Sequence, residues 1–164
     1  MDIFAIDPGN VFSAYCVMTS DYELKEFGKF ENRKAMEKMI GWLEGEFIPS
    51  KVVLERVASY GMPVGREVFE TCEWIGRFAQ EAEKHTQVDY LYRKEEKWYI
   101  CHDSRAKDAN IRQALIDRFA KHDLKNGKGT KSNPDFFYGV SADMWAAIAV
   151  AVSYLDKMKE ARHV

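Results

Sequence analysis

Cysteine is scarce in this chain of 164 residues, and the few cysteines are poorly spaced for structural bonds. Cys16, Cys72 and Cys101 are far apart, and no Cys-x-x-Cys pair occurs. The odd number and the spacing argue against a disulfide framework or a zinc knuckle and favour a reducing cytoplasm. Long apolar runs are also missing: none approaches the roughly 20 residues of a membrane span, and the first strand lacks the layout of a signal peptide. We therefore expect a cytoplasmic protein with no membrane segment.

A strong net charge is missing as well, because the formal charge is only -2. The charges are nevertheless distributed unevenly. Residues 1–83 contain 9 Lys and Arg against 15 Asp and Glu, whereas residues 84–133 contain 12 against 7. This pattern is typical of a carboxylate metal site beside a phosphate-binding surface, although solvated surface charge can produce the same asymmetry. The length predicts one domain over residues 1–164.

The first strand ends in a carboxylate. Residues 3–6 are apolar and run directly into Asp7, after which Pro8 and Gly9 turn the chain into a returning strand over residues 11–18. A carboxylate at the edge of a core is costly to desolvate unless a metal ion or a basic partner compensates it. Asp7 is therefore a candidate metal ligand. The alternative is a plain hairpin in which Asp7 begins the turn.

Two further acids extend this pattern. Residues 52–54 are apolar and are followed by Glu55. Parallel strands would place Asp7 and Glu55 at one edge of the sheet, where open α/β sheets bind ligands. Asp143 lies in the first turns of an apolar helix predicted over residues 140–161, where a favourable interaction with the helix dipole is the simpler explanation. Together, the three acids form a candidate carboxylate cluster.

The remaining periodicity predicts an α/β fold. Alternation favours strands over residues 22–30 and 88–92. Helical spacing predicts three more helices, over residues 32–47, 64–84 and 103–122. Asn32 is expected to cap the first helix. The lysine-rich segment 123–137 is predicted to be a flexible loop.

Two segments have both a structural and a binding interpretation. The helix over residues 64–84 carries an apolar stripe that includes Val68, Cys72, Ile75 and Gly76. Such a stripe is usually core packing, but a glycine permits close approach of another helix and makes part of it a candidate dimer surface. Residues 93–101 mix cations, acids and aromatics, which predicts either a solvated turn or a nucleic-acid surface.

The order of these features resembles a known family. Asp7 followed by Pro-Gly at the end of the first strand, Glu55 at the end of another, and Ala142-Asp143 opening a C-terminal apolar helix resemble the RuvC-like Holliday junction resolvases. These belong to the RNase H-like (retroviral integrase) superfamily. The resemblance implies an RNase H-like α/β fold, with a mixed five-stranded sheet flanked by helices, and a homodimer.

The resemblance covers nearly the whole chain. Residues 92–97, followed by Ser104-Arg105-Ala106-Lys107, are similar to the family's segment between its fifth strand and the next helix. The short, diverged sequence is more similar to phage-type members of the family than to its housekeeping bacterial members. The activity that the resemblance implies is that of a crossover junction endodeoxyribonuclease, a hydrolase of DNA recombination and repair that cuts branched DNA with Mg²⁺ or Mn²⁺.

The resemblance also assigns residues to the site. Asp7, Glu55 and Asp143 fall on the family's metal-binding carboxylates, which hold two ions. The family's further acid or histidine, one helical turn before the last Asp, is replaced here by Val140. The fourth ligand is then Asp135, Ser141 or a water.

The family's junction-stacking Phe, three residues after the Glu, is also replaced, here by Ala58. Tyr60 is the nearest aromatic residue that could substitute for it.

The chemistry explains this choice of residues. Two divalent ions roughly 3.5–4 Å apart can activate water, neutralise phosphate charge and stabilise the leaving oxygen, and Mg²⁺ prefers carboxylate oxygens. Lys94, Lys97, Arg105 and Lys107 are expected to bind backbone phosphates.

One alternative function is an actin-like or sugar-kinase-like ATPase, which requires a much longer chain. The other is a catalytically inert nucleic-acid-binding or regulatory protein of the same fold, which the Val140 departure favours.

Overall fold

A computed structural model describes residues 2–162, which form one five-stranded sheet with helices on both faces. The strands are β1 (Asp2–Asp7), β2 (Phe12–Thr19), β3 (Leu24–Glu31), β4 (Lys51–Arg56) and β5 (Gln87–Tyr92). The helices are α1 (Asn32–Leu43), α2 (Arg66–Ala82), α3 (Arg93–Cys101), α4 (Asp108–Phe119) and α5 (Met144–Arg162). Over the described range, no helix is long and apolar enough to cross a bilayer.

The sheet is mixed, with the strand order β3-β2-β1-β4-β5. β1, β2 and β3 pair antiparallel, whereas β1, β4 and β5 pair parallel. β1 is therefore central, and its carboxyl end lies beside the carboxyl end of β4. The predicted α/β fold with a mixed five-stranded sheet is confirmed.

Strand alternation divides the core between the two faces of the sheet. Ile3 and Ala5 of β1 pack with α4 and α5, whereas Phe4 and Ile6 pack with α1 and α2. All four side chains are at most 1% exposed. Because successive strand residues point to opposite faces, the residue after Ile6 faces α5. That residue is Asp7.

Helix α5 lies across the centre of the sheet. Its residues 147–155 are all buried, and three of them are alanines that allow the helix to approach β1 and β2 closely. The thiol of Cys16 on β2 donates a hydrogen bond to the carbonyl oxygen of Ala147, at 3.4 Å. This packing fixes the start of α5 close to the ends of the parallel strands.

Several predicted boundaries are wrong. Helix α1 ends at Leu43 rather than residue 47, because Leu43 is its last buried residue and residues 44–47 are exposed. Residues 93–101, predicted as a turn or a surface segment, form helix α3. The side chain of Glu95 accepts a hydrogen bond from the backbone N–H of Tyr92, which caps this helix.

The loop over residues 123–137 does not fit the prediction of a flexible segment. The carboxylate of Asp123 accepts hydrogen bonds from the backbone N–H groups of Asn126, Lys128 and Gly129. Asp135, near the end of the loop, accepts hydrogen bonds from the backbone N–H groups of residues 121–123 at its start. Two acids therefore replace the backbone pairing that a helix or strand would supply.

Candidate active site

A buried polar network holds the turn that follows Asp7. The side chain of Asn32 donates to the carbonyl oxygen of Gly9 at 2.8 Å and accepts from the Ser13 hydroxyl at 2.6 Å. Asn32 makes no capping hydrogen bond to α1, so the prediction that it caps this helix is wrong. A Cβ on Gly9 would lie 2.2 Å from the carbonyl oxygen of Phe12, so only glycine fits there. This network fixes the direction of Asp7.

Asp7 and Glu55 lie side by side at the ends of two parallel strands. Ile6 pairs with Leu54 in the β1–β4 register, so the next positions are Asp7 and Glu55. Both follow a residue that faces α1 and α2, so both carboxyls point to the α5 face. The strand pairing therefore brings two of the three predicted acids together.

The environment of these acids disfavours their ionisation. Burial, followed by the negative charge of Glu55, raises the pKa of Asp7 well above its usual value, and Asp143 adds a smaller effect. Burial raises the pKa of Glu55 to about 7, with a further contribution from the charge of Glu96. The two carboxyls are close enough for a side-chain contact with Glu55 to contribute to the raised pKa of Asp7. Burial and the repulsion of neighbouring carboxylates cause both shifts, and the positive charge of Arg93 offsets them only in part.

Asp143 lies immediately before α5 rather than within its first turn. Its carbonyl oxygen accepts the first backbone hydrogen bonds of the helix, and the preceding Ala142 has a left-handed φ of 48°. Such backbone strain in a non-glycine residue often accompanies functional positions. The carboxylate is 56% exposed and pairs with Lys29 Nζ at 2.5 Å. Asp143 is near enough to raise the pKa of Asp7, but a cation from β3 holds it.

Three charged residues that the sequence analysis did not single out complete the site. The Arg93 guanidinium donates to Glu96 Oε2 and to Asp108 Oδ1, both at 2.6 Å. Glu96 is fully buried, and burial raises its pKa to about 8, with Asp7 contributing to the rise. The i,i+3 spacing of Arg93 and Glu96 was a usable signal, but only for a segment recognised as a helix.

The donor chemistry of the site fits a hard divalent cation. The nearby groups are carboxylates, and the fully buried Glu96 leaves Oε1 without a hydrogen-bond partner among residues 2–162. Such oxygens are the ligands that Mg²⁺ prefers. Within the described range, however, no three acid, histidine or cysteine side chains already converge to hold a metal ion. Lys29 and Arg93 are bound instead to two of the acids.

The candidates for the fourth ligand differ in their burial and hydrogen bonding. Asp135 is not available, because its carboxylate accepts hydrogen bonds from the backbone N–H groups of Lys121, His122, Asp123 and Phe136. Burial by itself would raise the pKa of Asp135, but these hydrogen bonds outweigh it and hold the pKa below its usual value. Val140 is fully buried in the core, and Ser141 is exposed. Ser141 as a ligand stays a prediction.

Two of the predicted DNA contacts line one cavity. Tyr60 and Lys94 meet Tyr92 and Trp98 around an open cavity of about 610 Å³. Tyr60 is 62% exposed and has a left-handed φ of 49°, and Trp98 is 54% exposed. An open, aromatic wall beside a lysine suits stacking of an unpaired base near a phosphate.

The other predicted DNA contacts are distributed over α3 and the connection to α4. Arg105 is almost fully exposed, and Lys107 is exposed at the start of α4. Lys97 is half-buried on α3. None of the three lines the cavity of Tyr60, so within the described residues the structure does not gather all predicted contacts into one patch.

Two solved structures of a RuvC protein have a fold similar to that of this chain. The structure of Thermus thermophilus RuvC has a TM-score of 0.67 and 14% sequence identity, covering 98% of this chain and 97% of that chain. The structure of T. thermophilus RuvC in complex with Holliday junction substrate has a TM-score of 0.69 and 13% identity, covering 98% and 96%. No family model and no curated protein matches the sequence. The chain therefore has the RuvC-like, RNase H-like α/β fold.

Proposed function

We propose that this protein is a divalent-metal-dependent endonuclease that cuts four-way junctions or other branched DNA. The observation that carries the proposal is the pair of Asp7 and Glu55, which lie side by side at the ends of parallel strands with raised pKa values. Two half-buried carboxyls rarely lie side by side without a cation unless the pair has a function. The RuvC-like fold supports the choice of substrate, because one matching structure is a RuvC complex with Holliday junction DNA.

The acids would hold the metal, and the neighbouring cations would keep the cluster together before metal binds. Asp7 would bridge two ions, Glu55 would bind one of them and Asp143 the other. Bound Mg²⁺ or Mn²⁺ would supply an activated water and neutralise charge on the phosphate. Lys29 would release Asp143 when the site fills, because one lysine cannot compete with a divalent cation for the same oxygens.

Three conservative substitutions test the catalytic assignment. Asp7→Asn, Glu55→Gln and Asp143→Asn should each abolish metal-dependent cleavage while leaving junction binding intact, because each removes a metal-binding charge and little volume. Cleavage of labelled junction, flap, duplex and single-stranded DNA by the purified protein measures both activity and shape preference. Asp21→Asn, an exposed acid in the β2–β3 turn at the opposite end of the sheet from Asp7, is the matched control. Undiminished cutting by any one of the three variants would remove that residue from the site.

We also propose a homodimer that uses the exposed side of α2. Ile75 of the predicted dimer face is buried in the core, but Cys72 and Gly76 are exposed and Phe69 is 61% exposed on the same helix. Two active sites related by a twofold axis would cut opposite strands of a symmetric junction. Phe69→Lys should convert a dimer to a monomer in sedimentation. A wild-type protein that sediments as a monomer of 19.0 kDa at assay concentrations would refute the proposal.

A second candidate is a catalytically inert junction-binding protein. The ion pair between Lys29 and Asp143 favours it, because an amine already neutralises one of the three acids. Junction binding without cleavage at any Mg²⁺ or Mn²⁺ concentration would support this candidate over the nuclease.

A further inference from the structure

A fourth carboxylate, that of Glu96 on helix α3, lies beside the proposed metal site. Glu96 has no exposed surface, and among nearby charges it is the one that acts most strongly on Glu55. It is also near enough to Asp7 for the two charges to interact. Helix α3 begins directly after β5, whose Leu91 pairs with Glu55 of β4, so Glu96 in the first turns of α3 lies beside the ends of the parallel strands.

One oxygen of Glu96 is held and the other is free. Oε2 accepts from the Arg93 guanidinium at 2.6 Å, whereas Oε1 is buried without any hydrogen-bond partner among the described residues. A buried carboxylate with only a structural role would normally have both oxygens satisfied, because an unpaired buried acceptor is costly. The free oxygen is therefore a potential metal ligand in a buried position.

Arg93 orients this carboxylate. Its guanidinium spans Glu96 and Asp108, and Asp108 is 83% exposed, so the guanidinium links the buried acid to the surface. Carboxylates that bind metals are commonly held by a second hydrogen bond of this kind, which fixes their orientation.

We propose that Glu96 is a ligand or near neighbour of the metal in this site, that Arg93 positions it, and that it supplies the acid missing at Val140. The inference rests on the proposed function, because it assigns a further residue to the same metal site. It predicts that Glu96 contributes to metal affinity although it is not near Asp7, Glu55 or Asp143 in the sequence. Val140 can then remain in the core, where it is fully buried.

Metal binding to the full-length protein, without DNA, tests the proposal. Titration calorimetry with Mn²⁺ and the rise in melting temperature on adding Mn²⁺ are measured for wild type, Glu96→Gln and Glu37→Gln. Glu96→Gln should weaken Mn²⁺ binding by about tenfold or more, in the range for lost metal-site support. Glu37→Gln is the matched control, because it also breaks an i,i+3 ion pair, here with Lys34 on the exposed side of α1. It should bind Mn²⁺ as wild type does.

A second variant covers the case in which Glu96→Gln fails to fold with Arg93 unpaired. The double variant Arg93→Gln/Glu96→Gln removes both charges together, which avoids an unpaired buried ion. It should fold and show the same loss of Mn²⁺ affinity. Wild-type affinity in either Glu96 variant overturns this proposal alone. A wild-type protein that binds no Mn²⁺, or an Asp7→Asn variant that binds as tightly as wild type, overturns the metal site itself and this proposal with it.

Discussion

Neutralising Glu55 should stabilise the metal-free protein, although it should abolish activity. Burial raises the pKa of Glu55 from 4.5 to about 7. A carboxyl whose pKa is higher in the folded state binds more protons when folded, so its ionisation lowers stability as pH rises from about 4.5 towards about 7. Glu55→Gln removes this effect, because glutamine has nearly the same shape and cannot ionise.

The size of the effect follows from the pKa shift. At roughly 1.4 kcal/mol per pKa unit, the shift from 4.5 to about 7 corresponds to about 3 kcal/mol above the higher pKa. For a protein of this length, that energy corresponds to a rise of roughly 6–12 °C in melting temperature. Near pH 5 the advantage of the variant should shrink to about 1 kcal/mol, because the wild-type carboxyl is then protonated when folded.

Thermal melting with a chelator, followed by circular dichroism, measures this difference. Wild type and Glu55→Gln are compared near pH 8 and near pH 5. Glu73→Gln, an exposed acid on α2, is the control and should change the melting temperature little. Saturating Mg²⁺ should close the gap near pH 8, because a bound cation removes the repulsion only in the wild type. A metal-free Glu55→Gln protein no more stable than wild type near pH 8 would refute the reasoning.

Three further predictions concern the turn after Asp7 and the DNA surface. Gly9→Ala should destabilise the fold by about 1–3 kcal/mol in urea unfolding, because its Cβ would lie 2.2 Å from the carbonyl oxygen of Phe12, and a variant as stable as wild type would contradict the close approach. Lys94→Ala should weaken binding of every DNA shape and lower the log–log salt slope by roughly 0.9, and an unchanged slope would exclude a phosphate contact. Tyr60→Ala should instead cost about 1–3 kcal/mol in junction binding while sparing duplex binding. Equal losses on junction and duplex DNA, or a lower melting temperature, would show that Tyr60 supports the fold rather than a base.

Local patterns in the sequence were sufficient for the framework of the fold. The two central parallel strands, β1 and β4, are short apolar runs that lead into an acid, so Asp7 and Glu55 could be found without tertiary information. Their adjacency then follows from parallel pairing alone. Helix α5 could also be predicted, because its nearly continuous apolar sequence is incompatible with an exposed position.

Helix α3 could not be predicted in this way. Residues 93–97 contain three cations and two acids, a composition that is typical of a solvated turn. The segment is helical because Glu95 caps it and because Glu96 is buried against the site, where Arg93 compensates its charge. Burial of an acidic side chain depends on partners from other elements, so the charge pattern of these residues alone does not predict it.

The amino-acid sequence by itself determined which acids end the central strands, because apolar periodicity and turn residues are local properties of the chain. Only the tertiary structure decided what surrounds them. It brought Glu96 towards Asp7 and Glu55, paired Asp143 with Lys29 across the sheet, and removed Asp135 from the list of ligands. Each of these results depends on contacts between residues far apart in the chain, where charge and burial are set by packing rather than by neighbours in sequence.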